Sequence, residues 1–160
     1  MLKYHMHKSE QELKDREEIQ AIISQGKYVT LSLCREDEPY IVTLNYGYDR
    51  AKGALYFHTA LKGLKLEFVE VNPRVCGTVV EDRGYVAGRC DHAYRSVILY
   101  GTLCRVTDLE EKKHGMQVML THLEERPEEV KRRLLKDDTR YRTVVILRLD
   151  ISDMTGKQSH

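Results

Sequence analysis

The sequence predicts a mainly β, α+β protein whose centre is a small antiparallel barrel of about six strands. Short β-rich segments follow one another with only turn residues between them, and the helical segments do not alternate regularly with them as in a doubly wound parallel sheet. A chain of 160 residues suffices for one domain with a core, but not for two of typical size. We therefore expect a single domain over residues 1–160, with a closed sheet that protects its own edges.

Composition argues against several classes of function. Hydrophobic residues make up 41% and charged residues 32% of the chain, which is typical of a soluble globular protein. The net charge is +1, and basic and acidic residues balance along the chain, so we expect no nucleic-acid partner. No apolar run approaches the length of a membrane span or a signal peptide, so we expect no membrane association. The four cysteines form no C-x-x-C pair and are predicted to be free thiols of a cytoplasmic protein.

The amino-terminal half is predicted to form two helices around a group of strands. Ser9 followed by Glu12 is a capping-box pattern, and the apolar stripe after it ends at Gly26, so the first helix is placed between them. Three β-rich segments follow, at 27–34, 40–48 and 54–58. They predict a hairpin that is extended into a meander. A second helix over 65–71 ends before Pro73.

The carboxyl-terminal half is predicted to contain three strands, with two more helices between the second and the third. Its β-rich segments lie at 75–80, 96–106 and 143–149. Gly101 inside the longest of them predicts a bulge. Asp108 and Glu111 repeat the capping-box pattern before one helix, and Pro127 starts another. We expect flexible ends at 1–8 and 158–160.

The turn between segment 54–58 and helix 65–71 gathers the polar and basic side chains His58, Thr59, Lys62 and Lys65. They lie where the helix exposes its first unpaired N–H groups. A phosphate there would receive backbone hydrogen bonds, a hydroxyl hydrogen bond and one or two ammonium charges. Lysines at the start of a solvent-facing helix are also common, so an ordinary solvated surface stays open as the alternative.

Two other clusters favour no site. His5 and His7 form an H-x-H pair, but a mobile chain end that offers only two ligands is a weak metal site, so we expect no metal there. Cys90 and His92 would suit a thiol nucleophile, yet the sequence identifies no third residue to orient them. P-loop, G-x-S-x-G, H-E-x-x-H and G-x-G-x-x-G patterns are all absent from the sequence. The sequence therefore identifies no catalytic residue.

Four stretches together resemble one family, namely YIVTLNYGYD at 40–49, LYFHTALKGLK at 55–65, the Asn72-Pro73 stop and YRSVILYGT at 94–102. Their order is similar to that of the FMN-binding split barrels of the pyridoxamine 5′-phosphate oxidase-like family. The branch they resemble most is related to nitroimidazole-resistance (nitroimidazole reductase) proteins, which also end with a short Thr-Gly-Lys-containing segment like 155–157. The resemblance covers most of the chain, and it implies a six-stranded antiparallel Greek-key split β-barrel with flanking helices.

The resemblance also implies where FMN would lie. The edge of the isoalloxazine ring would be met by Val42, Thr43, Leu44 and Asn45. The phosphate and ribityl chain would be met by His58, Thr59, Lys62 and Lys65. Ser96, with Arg95 beside it, and Lys157 from the tail would complete the site. Thr43 stands where this branch often has proline, so the ring contact there would use backbone N–H and C=O groups.

By the same resemblance the protein is an oxidoreductase that reduces a small nitro- or quinone-like compound with NAD(P)H or another reductant. The bound flavin would carry the redox chemistry. FMN is expected rather than FAD, because the cations suit one terminal phosphate and the chain has no dinucleotide fingerprint. The flat ring needs more cover than one small barrel offers, so we expect a homodimer with FMN at the subunit interface.

Other functions stay open at this stage. The chain could carry a flavin, haem or deazaflavin without turnover, or it could be a plain dimeric adaptor. Oxidation of pyridoxamine 5′-phosphate fits less well, because the chain lacks the Arg-rich ending with which true oxidases hold substrate. Haem would need an axial ligand, and the sequence pattern does not identify a ligand pair among the histidines His58, His92, His114 and His122.

Overall fold

The computed structural model describes residues 6–159, which form eight strands and five α-helices. The strands are β1 (Glu12–Leu13), β2 (Tyr28–Arg35), β3 (Glu38–Asn45), β4 (Gly47–Asp49), β5 (Ala54–Thr59), β6 (Arg74–Val86), β7 (Asp91–Arg105) and β8 (Val145–Ser159). The helices are α1 (Arg16–Gln25), α2 (Leu64–Val71), α3 (Leu109–Leu123), α4 (Pro127–Leu134) and α5 (Asp138–Arg142), and a 3-10 turn spans Ser9–Gln11. The predicted mainly β, α+β class is confirmed.

All strands belong to one antiparallel sheet in the order β3-β2-β6-β7-β8-β5-β4, with β1 also paired to β8. The two outermost strands in this order, β3 and β4, are joined by Tyr46 alone. Because a link of one residue cannot cross a flat sheet, the sheet must curl until its two edges meet. The result is a barrel that is split where β3 and β4 part.

The barrel interior is filled by alternate strand side chains and by one face of α1. Ile19, Ile22 and Ile23 of α1 are buried in this interior cluster. The Tyr46 side chain is also fully buried, and its hydroxyl donates a hydrogen bond to the carbonyl of Ile23 over 2.6 Å. Burial disfavours the phenolate and raises the pKa of Tyr46. This bond holds the junction of the two sheet edges against α1.

Helix α3 packs on the outside of the barrel over β4 and β5. Its Met119 lies in a second buried cluster with Tyr56. The close approach requires a glycine on β4, because a Cβ at Gly47 would lie 2.5 Å from the main-chain nitrogen of Met119. Asp108 caps the helix by accepting a hydrogen bond from the N–H of Glu111 over 2.8 Å, so the predicted start of this helix is confirmed. The Glu111 carboxylate itself accepts hydrogen bonds from Tyr56 and Arg148.

Several predicted details are wrong. The count of six strands is too low, because β1 was not expected and the predicted strand 40–48 is divided at Tyr46 into β3 and β4. The first helix begins at Arg16 instead of near Ser9, because the Asp15 carboxylate caps it by accepting a 2.8 Å hydrogen bond from the N–H of Glu17. The Greek-key connection stays a prediction.

The polar tail also differs from its prediction. Gln158 and Ser159, expected in a flexible end, continue β8 and pair with Arg95 and Tyr94 of β7. The predicted bulge at Gly101 is confirmed, since the pairing of β7 with β8 shifts register there. Over residues 6–159, every helix is too short or too polar to cross a membrane.

Candidate functional site

The split of the barrel brings two of the predicted site segments to the same opening. β4 pairs with the first half of β5, and residues 57–59 continue beyond it with β8 as their hydrogen-bonded neighbour. If the β4–β5 register continued, Asn45 would face His58 and Leu44 would face Thr59. β3 instead turns away and pairs with β2. The free edge of β3 and the end of β5 therefore form the two sides of one opening.

The corner at the end of β5 is cationic. The ammonium of the partly buried Lys65 donates a 2.8 Å hydrogen bond to the hydroxyl of Thr59, which is only 8% exposed. Gly63 precedes α2 and supplies no side-chain cap, and a Cβ placed on it would meet nothing within 4 Å. Lys62 is exposed beside it. A hydroxyl, two ammonium groups and uncapped helical N–H groups form a donor set that fits a phosphate.

His58 does not lie at this corner. Successive strand residues point to opposite faces of a sheet, so Thr59 lies on the barrel side of β5 and His58 on the side of α3. There His58 borders an apolar cavity of about 250 Å³ between α3 and α4, lined mainly by methionine and leucine side chains. The structure therefore separates His58 from the other three residues of the predicted phosphate group.

The four predicted residues on β3 divide between two faces. Val42 and Leu44 are half-buried and pack against the barrel core, whereas Thr43 and Asn45 lie exposed on the outer face. The Thr43 hydroxyl is 3.0 Å from that of Thr30, and the Asn45 amide donates to a main-chain carbonyl of residue 27 over 2.9 Å. Because β3 is an edge strand, alternate N–H and C=O groups along it are free of β2 and face the opening.

A second group of predicted residues lies on β7 and β8. Ser96 and Lys157 are direct partners on the outer face of the sheet, and the Lys157 ammonium lies 5.7 Å from the centre of the Tyr94 ring. Arg95 points to the other face, where its guanidinium donates to the Glu81 carboxylate over 2.5 and 3.1 Å. The hydrogen bond from Arg95 lowers the pKa of Glu81. Arg95 is thus held in an ion pair, while Ser96 and Lys157 face outward.

The two groups lie at opposite ends of β8. Val145, at its start, pairs with Thr59, and Lys157 is near its end. At roughly 3.3 Å per residue, they are about 40 Å apart along the strand. The two groups are therefore separated by most of the length of β8, which bends at the register shift opposite Gly101.

The outer face of the sheet carries apolar side chains that were not among the predicted site residues. Tyr28, Ile41 and Val80 are 58%, 68% and 49% exposed, and they share this face with Ser96 and Lys157. The sequence signal for this face is the strand period of two, because the positions that alternate with these residues are buried in β2 and β6 and half-buried in β3. This outer face is therefore partly apolar as well as polar.

The remaining sequence candidates that lie within residues 6–159 are not gathered into a site. His5 lies outside the described residues, and His7 is exposed. Cys90 is exposed in the β6–β7 hairpin, and the His92 ring bonds Asp82 instead of the thiol. A larger cavity, of about 440 Å³, lies between β1, α1 and β8 and is lined by none of the predicted site residues.

An antiparallel barrel that is split between β3 and β4 matches the fold of solved structures similar to this chain. The sequence model of the pyridoxamine 5′-phosphate oxidase family matches residues 15–158, and the chain belongs to that family. The resemblance predicted from the four sequence stretches is therefore confirmed.

Solved structures share this fold. A candidate 5-nitroimidazole antibiotic resistance protein from Bacteroides thetaiotaomicron VPI-5482 superposes with a TM-score of 0.75 at 26% identity, covering 92% of this chain and 86% of that one. The flavocytochrome Anf3 from Azotobacter vinelandii gives 0.83 at 17% identity, covering 98% and 73%. An FAD-binding protein from Mesorhizobium loti gives 0.67 at 20% identity, covering 91% and 96%. The last two likenesses show the fold alone.

A curated relative is also similar over part of its length. An uncharacterised protein of Rhizobium meliloti (strain 1021) is 32% identical over 66 residues. The aligned region spans 41% of this chain and 42% of that protein. This match therefore concerns less than half of either protein.

Proposed function

We propose that the protein is a homodimeric FMN-dependent oxidoreductase that reduces a small nitro- or quinone-like compound. The observation that carries the proposal is the partly buried ammonium of Lys65, held 2.8 Å from the Thr59 hydroxyl at the uncapped start of α2. A cation in this position costs desolvation, and an anionic partner would offset that cost. Membership of the pyridoxamine 5′-phosphate oxidase family supports a flavin as the ligand.

In this proposal the corner holds the terminal phosphate of FMN. Lys65 and Thr59 would donate hydrogen bonds, Lys62 would add a second charge, and the first N–H groups of α2 would point at the phosphate oxygens. These donors suit one terminal phosphate dianion, which favours FMN over FAD. The FAD-binding likeness at 20% identity concerns the fold alone, so cofactor identity needs direct measurement.

The isoalloxazine ring would lie against the free edge of β3. When bound, FMN supplies reversible acceptance and donation of electrons. The chain's own contribution is orientation, through the free main-chain groups along 42–45 and the outward side chains of Thr43 and Asn45. Asn45 is already held by its bond to a carbonyl of residue 27. Main-chain and amide groups at such an edge would orient the ring, and this role requires no dedicated acid or base.

The dimer is proposed because the candidate site is incomplete in one chain. Ser96 and Lys157 lie about 40 Å along β8 from the phosphate corner at roughly 3.3 Å per residue, and in this proposal they reach a given flavin from the other subunit. Twofold association of the outer sheet faces would bring them there and would cover Tyr28, Ile41 and Val80. Each dimer would then hold two equivalent flavins.

The substrate class rests on the likeness to the candidate 5-nitroimidazole resistance protein, at 26% identity over 92% of this chain. Haem is less favoured. The Nε2 atoms of His114 and His122 lie 2.6 Å from the Asp49 carboxylate and from the Gly26 carbonyl, so both already have hydrogen-bond partners. A flavin without haem is therefore the cofactor that we propose.

We also infer a cytoplasmic location. All four cysteines are free thiols. Reducing compartments keep thiols in that state. Fractionation of cells that express the protein at its natural level tests this, and recovery outside the cytoplasm would contradict it.

Cofactor identity is tested by the absorption spectrum of the purified protein, followed by heat release and chromatography. After reconstitution with an equimolar mixture of FMN and FAD, we expect FMN to be recovered at one molecule per subunit. Recovery of FAD, of haem or of no cofactor would refute the cofactor assignment. Sedimentation across a dilution series tests the dimer, with FMN expected to tighten it.

Activity is tested by anaerobic oxidation of NADH and NADPH in the presence of nitroaromatic and quinone acceptors. We expect turnover that requires bound FMN and is absent from the apoprotein. A protein that binds FMN at full occupancy but reduces neither acceptor with either donor would leave the cofactor proposal intact and refute the proposed reaction.

A further inference from the structure

The hairpin formed by the ends of β6 and β7 extends beyond the sheet. Within the described residues, β7 pairs with β8 only from Tyr94 onward, so the hairpin segment 82–92, called here the arm, has no third strand paired with it there. Its Tyr85 side chain is 63% exposed. The turn of the arm has a defined conformation, because Asp82 accepts a 2.7 Å hydrogen bond from the N–H of Gly84. The β6–β7 register shifts at this point. The described contact of the arm with β8 is the 3.5 Å hydrogen bond that the Ser159 hydroxyl donates to Asp91, and Tyr85 at its tip projects into solvent.

The arm carries a cluster of aromatic and titratable side chains. The Nε2 atom of His92 lies 2.7 Å from an Asp82 oxygen, and the rings of His92 and Tyr85 are 6.2 Å apart. His92 pairs with Tyr85 across the hairpin, so both side chains lie on one face. Because strand side chains alternate, His92 shares its face with Tyr94 and Ser96. The arm therefore continues the face that presents Ser96 and Lys157.

We propose that Tyr85 and His92 of each subunit form the substrate-side wall of the flavin pocket in the other subunit, and that this wall selects a planar aromatic acceptor. The inference rests on the proposed dimeric flavin site. There Ser96 meets the flavin of the other subunit, and His92 lies about 13 Å further along the same strand face at roughly 3.3 Å per residue. A side chain at that distance stands beside a molecule stacked on the ring.

The chemistry of the arm suits such an acceptor. The Tyr85 ring offers an apolar surface with the edge and face geometry that aromatic ligands prefer. The His92 ring offers a second flat surface against a planar acceptor, and Asp82 acts as a positioning residue by fixing the ring through Nε2. These side chains bind and orient the acceptor, and no electron or proton transfer is assigned to them.

The first test compares Tyr85→Ala and His92→Ala in the FMN-loaded dimer, with nitrobenzene derivatives and a benzoquinone as probes. We expect KM for the acceptor to rise about tenfold, with kcat and FMN affinity within about twofold of wild type. Arg89→Ala, an exposed residue of the same hairpin, is the matched control and should leave KM unchanged. An unchanged KM in both arm variants, or loss of FMN from either, would overturn the inference.

The second test asks whether the arm acts across the dimer. Subunits with Tyr85→Ala and His92→Ala are co-expressed with subunits carrying Lys65→Ala, and mixed dimers are isolated with two affinity tags. If the arm and the corner of each site come from different subunits, one site of the mixed dimer combines the intact corner of the first subunit with the intact arm of the second. We therefore expect about half of wild-type activity with wild-type KM. Mixed dimers whose sites all keep a raised KM or weak FMN binding would overturn the inference. Failure of the proposed function is a different outcome, because it would show in the wild-type protein itself as no binding of FMN or no reduction of any acceptor.

Discussion

The Lys65→Ala substitution tests the phosphate corner directly. The Lys65 ammonium is partly buried and already bonded to the Thr59 hydroxyl over 2.8 Å, so it is positioned before any ligand arrives. A charge-assisted hydrogen bond to a dianion in such a setting contributes about 1.5–3 kcal/mol. By the relation between free energy and affinity, its loss should weaken FMN binding about ten- to 150-fold.

The assay is titration of apoprotein with FMN, followed by quenching of flavin fluorescence. Riboflavin, which has the same ring without the phosphate, is the decisive comparison, because Lys65→Ala should leave its affinity within about twofold. Lys136→Ala is the matched control, since that lysine is exposed and lies after α4. Added salt should weaken FMN binding more in wild type than in Lys65→Ala. Equal losses for FMN and riboflavin, or no loss for FMN, would refute the corner.

Three further changes test the scaffold. Tyr46→Phe should lower the free energy of unfolding in urea by about 1–3 kcal/mol, because a buried carbonyl of α1 loses its 2.6 Å hydrogen bond; an unchanged midpoint would contradict this. Gly47→Ala should cost about 1–3 kcal/mol in the same assay, because its Cβ would lie 2.5 Å from the main chain of α3. Burial raises the pKa of Asp49, but the hydrogen bond from His114 and other contacts outweigh it and the net pKa is lowered. The ionised Asp49 therefore stabilises the fold at pH values above its unfolded pKa of 3.8, and this stabilisation is lost as the pH falls through the lower pKa of the folded state. His114→Ala removes the hydrogen bond, so it should raise the pH at the midpoint of acid unfolding measured by circular dichroism.

Helix starts were predictable where one capping signal stood alone. Asp108 with Glu111 marks the start of α3 correctly. At the first helix two signals compete, because Asp15 with Glu18 repeats the pattern of Ser9 with Glu12 and lies nearer the apolar stripe. The nearer cap wins, since it lets every turn of the helix bury an isoleucine in the barrel. The distance from cap to stripe was therefore the informative part of the signal.

The end of β8 was not predictable from local pattern. Residues 150–159 are mostly polar, and they form a strand because β7 and β1 pair with them from distant parts of the sequence. Gly156 shows the tertiary reason, since a Cβ there would lie 2.8 Å from Leu13 and 2.7 Å from Ile19. A polar segment thus becomes a strand because long-range pairing overrides its weak local preference.

The phosphate corner was predictable because Thr59, Lys62 and Lys65 are close in sequence and the turn that joins them is short. The opposite orientation of His58 was hidden, because the strand 54–59 is apolar on both faces and shows no alternation until its last two residues. The rest of the candidate site depends on residues brought together by the sheet. Their relation to the corner follows from strand register, which periodicity alone does not determine.

In the proposed dimer, each β8 would serve two pockets, with the corner of one flavin site at its start and Lys157 of the other site near its end. The register shift opposite Gly101 lies between these two ends, where a Cβ on the glycine would collide with the main chain of Asp150. The bulge bends the strand and so sets the angle between its two halves. The distance between the two flavins in a dimer would therefore depend on this bulge, which touches neither cofactor.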